Sequence, residues 1–355
     1  MIKKLRSTDY NYNFNTQTGF LTRWGRTFED DPQLSPFGPE ILDIEVSTIC
    51  KGIGSGPCTH CYKSNTPRGK NMSFETFKII FDKMTTTTTT ETLTQIAFGI
   101  GDIDSNPDLF KMFEYCRMNN VAPNLTINGY GLTHTHFKLL KSYCGAIAVS
   151  RYNPSDVCYD AVKTLSQDMN MDQINIHMLV SKETLKDCYQ VIDDSLVDPR
   201  LDKLNAIVFL HLKPKGIRNT NTIVTQKEYQ SLIEYAFSKN IRIGFDSCSA
   251  HKFINSITDS KLKDKLELFV EPCESGLFSS YINVDGRYIH CSFTEGEGDW
   301  KGIDVINSDD FIKDVWNGEE TIKFRDKLLK QNRKCPIFNL GGEGDCNENQ
   351  TGIRI

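Results

Sequence analysis

Three cysteines stand close together early in the chain, Cys50, Cys58 and Cys61, spaced C-x7-C-x2-C in the stretch ILDIEVSTICKGIGSGPCTHCYK. Thiolates are ligands of zinc and of iron–sulfur centres, and a structural zinc site closes with four ligands. His60 is the only histidine of the loop, and between Thr59 and Cys61 it is badly placed to reach the same metal. Three thiols from one loop suit a [4Fe–4S] cube, each holding one iron and leaving the fourth iron open to a substrate or cofactor. A second group follows in the C-terminal part: Cys273, Cys291, Cys335 and Cys346. Two of these flank a hairpin signal at Asp285-Gly286, and two come from further on, the last in the Gly-rich tail LGGEGDC. Such a set could close a second [4Fe–4S] cluster or a zinc-ribbon-like site. Cys116, Cys144, Cys158, Cys188 and Cys248 are scattered singly and read as small core hydrophobes, although Cys248, at the end of a strand, could also replace a ligand.

These residues need elements to hold them. A chain of 355 residues leaves room for two domains or for one α/β barrel with an appendage. Short apolar strands are expected at Ile41–Val46, Gln95–Phe98, Asn124–Ile127, Ala146–Ser150, Gln173–Val180, Ala206–Leu212 and Ile241–Phe245. Helical spacing lies between them, led by Ser73–Met84, where Ser73 is the expected N-cap and Phe74, Phe77, Ile80, Phe81 and Met84 form one apolar face. Further helices are expected at Asp108–Asn119, His134–Tyr143, Ser155–Asp168, Lys182–Ser195 and Thr225–Lys239. This rhythm predicts an α/β fold, a partial (βα)6 TIM-like barrel over residues 41–250 with its ligands at the C-terminal ends of the strands. Residues 1–40 show no clear period and are expected to form an irregular N-terminal arm. Residues 251–355 are expected to form a small α+β domain, with a hairpin at Tyr281–Val284 and Arg287–His290 and helices near Asp309–Trp316 and Glu320–Gln331. The run Thr85–Thr90 reads as a surface linker.

Three cysteines directly after the first barrel strand, with His60 before the last and Tyr62 after it, resemble the cluster loop of the radical S-adenosylmethionine superfamily. The usual spacing there is C-x3-C-x2-C; here KGIGSGP fills the first gap, and Gly52, Gly54 and Gly56 are expected to let the longer loop fold back. The family's glycine-rich turn after the second strand is matched by Gly99, Gly101 and Asp102 in FGIGD. The resemblance implies that Tyr62, Gly99, Gly101, Asp102, Thr126, Asn128, Ser150 and Arg151 hold S-adenosylmethionine at the open iron. It also implies an electron donor such as flavodoxin or ferredoxin, and abstraction of hydrogen from a peptide or small molecule by a 5′-deoxyadenosyl radical. The second cysteine group resembles the auxiliary SPASM domains, and more closely their shorter relative, the twitch domain. That implies one auxiliary [4Fe–4S] cluster held by Cys273, Cys291, Cys335 and Cys346, and net oxidation or bond formation.

His177, His211, Lys213 and Asp246 lie in or just after strands, where each could position substrate or remove a proton. No Walker-type loop or G-x-S-x-G elbow competes for the chemistry. With 41 basic against 46 acidic residues the net charge is −5, which disfavours nucleic acid as a bulk partner. No secretory h-region and no apolar run of membrane length is present, so the expected location is cytoplasmic, where thiols stay reduced. Two other readings stand beside the radical enzyme: a zinc-stabilised binding protein on a degenerate barrel, and an enzyme with the first cluster alone.

Overall fold

A computed structural model describes residues 2–54, 56–86, 92–298 and 300–340. Cys346 and most of the threonine run lie outside them. The chain opens on a three-stranded antiparallel meander, β1 (Ile2–Leu5), β2 (Asn11–Asn15) and β3 (Leu21–Trp24). The expectation of an irregular arm is thus corrected. Tyr10, Tyr12 and Phe14 recur at period two, all fully buried, and pack with Leu277, Phe278, Phe324 and Leu328 of the C-terminal part.

The body of the protein follows as alternating strands and helices. The strands are β4 (Ile41–Glu45), β5 (Gln95–Gly99), β6 (Ala122–Ile127), β7 (Ile147–Ser150), β8 (Ile174–Val180), β9 (Ala206–His211) and β10 (Ile243–Phe245). The intervening helices are α1 (Phe74–Thr86), α2 (Leu109–Met118), α3 (His134–Tyr143), α4 (Asp156–Lys163), α5 (Leu185–Val197) and α6 (Gln226–Ser238). α4 runs on into a π-helical turn at Thr164–Asp168, which completes the single helix expected there. Ser73 caps α1 as expected, its hydroxyl accepting from the Thr76 N–H at 3.1 Å.

β4 to β10 pair in sequence order, each parallel to the next. A right-handed crossover at every step puts all six helices on one face of the sheet. That face is apolar: Leu42, Ile44, Ile96 and Phe98 share a core with Phe77, Phe81 and Phe113 of α1 and α2. The other face, the inner one, carries the alternate residues, among them Asp43, Glu45, Thr126, Ser150 and His177.

After α7 (Ala250–Asn255) and α8 (Ser260–Glu267) come β11 (Ser279–Ile282), β12 (Arg287–Ile289) and β13 (Ile303–Asp304). β11 and β12 form the expected hairpin, which is hydrogen-bonded into the main sheet: β11 runs parallel to β4, with Tyr281 opposite Asp43. The result is one sheet of ten strands, with β10 at one edge and β13 at the other. A π-helical turn at Phe311–Trp316 and α9 (Glu319–Lys330) close the described chain.

A buried polar knot joins the two ends of the chain. Arg23 bonds Glu40 at 3.0 Å, Glu271 at 3.0 Å and Glu274 at 3.2 Å, and lies 3.5 Å above the Phe278 ring. The Tyr10 hydroxyl donates to Glu40. Burial pushes the Glu40 carboxyl up, and Arg23 and Tyr10 oppose that shift. Removing one partner of a buried pair strands the other, so Arg23→Met should cost about 3–5 kcal/mol in urea denaturation. Tyr10→Phe should cost less, about 1–3 kcal/mol.

Candidate metal and cofactor site

The loop after β4 is held from three sides. Cys50 N–H donates to Thr66 O at 3.0 Å, and the loop's own turn is closed by Ile53 N–H to Gly56 O at 3.1 Å. Gly52, Gly54 and Gly56 have φ of +97°, +83° and +111°, a region that side chains resist, so the seven-residue gap folds back on glycines as expected. On the second side, the turn after β5 packs on Cys50 so closely that a Cβ on Gly101 would lie 2.5 Å from Cys50 Cβ and 2.8 Å from its Sγ. On the third side stands the loop after β9. A Cβ on Gly216 would lie 2.3 Å from Cys61 O, and Arg218 donates to Cys58 O at 3.4 Å and Asn65 O at 3.0 Å.

So placed, the three thiols act on one another. Burial, then Cys61 and Cys50, push the Cys58 thiol up to about 11, and burial also raises Cys50, with Cys61 contributing and Arg218 opposing. None of the described cysteines is in a disulfide. Among the described residues no three His, Cys, Asp or Glu side chains converge as around a single ion. Tyr152 closes the floor: it bonds Cys58, feels the charge of all three thiols, and stacks on His60 with ring centroids 5.7 Å apart. The site thus offers three thiols packed against the backbone of Gly101 and Gly216. A polynuclear iron–sulfur core fits that donor set.

The expected cofactor residues divide. Gly99 and Gly101 sit at the site, and Asn128 braces their turn, donating to Gly101 O at 3.2 Å and to Asp102 Oδ1 at 3.3 Å. Asp102 also accepts from the Lys51 N–H at 2.7 Å, so its carboxylate locks the cysteine loop to the sheet. Thr126 and Ser150 face inward, Thr126 at 3.4 Å from His177 Nδ1 and Ser150 bonded to Tyr152. Arg151 is a correction: one step out of phase with Ser150, it pairs with Asp187 of α5 at 3.3 Å and Asn153 at 2.9 Å. Tyr62 is another, since it turns away toward the second group, its ring 4.3 Å from Phe293 and its hydroxyl 3.4 Å from Ser292 Oγ.

Of the acid and base candidates, His177 lies on the inner face, and burial lowers it to about 4, so it is a neutral imidazole at pH 7. His211 is corrected. It shares the phase of Ile207 and Phe209, is 1% exposed, and packs toward Tyr229 of α6, its Nδ1 2.8 Å from Leu212 O. Asp246 is bound rather than free. Lys213 is its ion partner, and Ser249 Oγ donates to it at 2.6 Å. Burial alone would raise Asp246, yet Lys213 holds it below the usual carboxylate range.

The second group is gathered around this pair. Cys291 feels Cys273 and Cys335, and Cys248 feels Cys291 and Cys273. Cys291 Sγ accepts the Phe293 N–H and Cys335 Sγ the Phe338 N–H, each at 3.4 Å. Burial, helped by Cys273, pushes Cys291 up to about 12 and also raises Cys248. Among the described residues, Cys248, in the 3-10 turn Ser247–Ser249 after β10, is a further thiol beside Cys273 and Cys291, while Cys346 lies outside them.

Sequence reasoning also passed over Asp43. It is an exposed side chain in mid-strand, opposite Ala97 and Tyr281, yet desolvation raises its carboxyl to about 6. It has no hydrogen-bond or ion-pair partner among the described residues. Its signal was its phase: Leu42, Ile44 and Val46 mark the helix side, so Asp43 and Glu45 must face the other way.

No family model matches the chain, and no curated protein does. Solved structures do. SuiB of Streptococcus suis bound to its precursor peptide SuiA superposes with a TM-score of 0.67 at 11% identity, over 91% of this chain and 90% of that one. SuiB bound to S-adenosylmethionine gives 0.64 at 12%, over 82% and 68%. Native anSMEcpe with bound AdoMet and Cp18Cys peptide gives 0.59 at 15%, over 81% and 82%. The chain resembles these radical S-adenosylmethionine enzymes in its fold: mixed α/β with a large parallel sheet.

Two outcomes follow. Gly101→Ala should displace Cys50 and reduce the iron retained after anaerobic reconstitution, with the secondary structure kept in circular dichroism. Because Asp43 is raised above its unfolded value, the native state binds the extra proton, and stability is lost as pH rises through about 6. Asp43→Asn should therefore melt increasingly above the parent chain between about pH 4 and pH 6, and the gap should level off above that.

Proposed function

We propose that the protein is a radical S-adenosylmethionine enzyme that modifies a peptide by abstracting hydrogen from carbon, with net oxidation or bond formation. The observation that carries this reading is the juxtaposition of Cys50, Cys58 and Cys61 with the Gly99–Gly101 turn at the C-terminal ends of β4 and β5. The parallel strands are read as a partial barrel over 41–250, and the chain from 251 as a twitch-like auxiliary unit. When bound, the [4Fe–4S] cluster and S-adenosylmethionine supply the electron and the 5′-deoxyadenosyl radical that takes the hydrogen.

The chain's own residues do the rest. Cys50, Cys58 and Cys61 would hold the first cluster, and the Gly99–Gly101 backbone gives the cofactor its close approach. Thr126, Ser150 and His177 line the space beyond, where the neutral imidazole of His177 can donate or accept one hydrogen bond without carrying charge. Asp43, Glu45 and Lys63 border the same face, with Lys63 bonded to Glu45 at 3.2 Å and also to Glu295. Asp43, with no ion partner among the described residues, is suited to a basic group on the substrate. A peptide is preferred because the superposition that covers nine-tenths of each chain is with a peptide-bound enzyme. Cys248, Cys273, Cys291 and Cys335 would hold the auxiliary cluster.

Anaerobic reconstitution with iron and sulfide tests both centres. The expected result is about eight irons per chain and reductive cleavage of S-adenosylmethionine. Zinc without cleavage would replace this reading with that of a binding protein. Cys248→Ala should fall to about four irons while Cys346→Ala keeps about eight; the reverse would return the fourth ligand to Cys346.

A further inference from the structure

We infer that the buried pair Lys213–Asp246 sets the reduction potential of the centre held by the second thiol group, the Lys213 ammonium being the charge that favours its reduced state. The inference rests on the reading that this group holds an iron–sulfur cluster.

Lys213 follows β9 and is only 5% exposed, an uncommon place for an ammonium. Its Nζ is bonded to Asp246 and lies 4.7 Å from the centroid of the Phe293 ring. Both neighbours lead to the thiols: Phe293 donates its N–H to Cys291 Sγ at 3.4 Å, and Asp246 stands two residues before Cys248. Burial works against the charged lysine, and the bonded Asp246 carboxylate opposes that.

Lys213 and Asp246 thus form one ion pair beside the second thiol group, and replacing the lysine alone leaves only the carboxylate's charge there. Reduction adds one negative charge to a cluster, and a fixed positive charge in a dry, low-dielectric surrounding lowers the cost of that addition. Lys213 touches none of the thiols through a hydrogen bond, so it acts as a positioning residue through its field.

The first thiol group supplies an internal control. There the bonded cation is Arg218, which donates to Cys58 O at 3.4 Å. A Lys213 variant should therefore move one potential and leave the other in place.

The test is an anaerobic redox titration of the reconstituted full chain, both clusters being followed by electron paramagnetic resonance, with iron content measured on the same samples. Lys213→Met should shift the second centre's midpoint negative by at least tenfold in its one-electron equilibrium, 59 mV, with the first centre unmoved. The uncompensated Asp246 acts in the same direction. Lys213→Gln should reproduce the shift should the methionine variant lose iron, and Lys213→Arg should stay near the parent value. Two loaded clusters with an unmoved second midpoint in both neutral variants would overturn the inference alone. A parent chain that holds only about four irons would overturn the second-cluster reading with it.

Discussion

The parallel pairing of β11 with β4 is the constraint on which the arrangement of thiols depends. β4 delivers the first cysteine loop and β11 begins the hairpin that ends at Cys291, so four register pairs from Ser279–Ile41 to Ile282–Ile44 fix the two groups on one sheet. Everything between them is then determined at side-chain length. Tyr62, one residue past Cys61, reaches Phe293, two residues past Cys291. Lys63, the next residue, bonds Glu45 on β4, Tyr281 on β11 and Glu295 beyond the hairpin. A hairpin tethered only by its flanking loops would hold Cys291 through flexible chain; here it is held by backbone hydrogen bonds in the middle of a sheet.

That geometry requires charge inside the protein, where isolated ions are costly. The structure meets the cost in pairs. Lys213 answers Asp246, Lys63 lies between Glu45 and Glu295, and Arg23 knots three glutamates at the base of the same region. Asp43 has no such answer among the described residues, and desolvation shows in its raised carboxyl.

Most of the fold was legible because it is written in local period. Every strand expected between 41 and 245 and every helix between them forms within a few residues of its expected bounds, since apolar alternation and apolar helical faces are each set by their own segment. What escaped was of two kinds. Some was local but masked by composition: Tyr10, Tyr12 and Phe14 alternate plainly, yet asparagines between them hid a strand. Phase was similarly available and unused, for His211 is in step with Ile207 and Phe209 while His177 is in step with Asn175 and Leu179. The rest was not local at all. No period in residues 279–282 says that they will pair with 41–44, and nothing in the spacing of Cys248 says that the end of β10 will lie beside Cys273 and Cys291.

The loop after β9 draws these threads together, because KPKGIRN touches both thiol groups within seven residues. Lys213 faces the second group, Lys215 donates to Phe293 O at 3.1 Å and also to Glu295 O, Gly216 packs on Cys61 O, and Arg218 binds the carbonyls of Cys58, Ser64 and Asn65. Each cation is held in place by carbonyls or a carboxylate, so its charge is fixed relative to the thiols instead of roaming in solvent. A centre built on thiolates accumulates negative charge, and two such centres on one sheet would raise each other's cost of reduction. One short cationic loop set between them would offset that repulsion at both ends. Its Gly216, at φ +107°, is the residue that lets the backbone come close enough to do so.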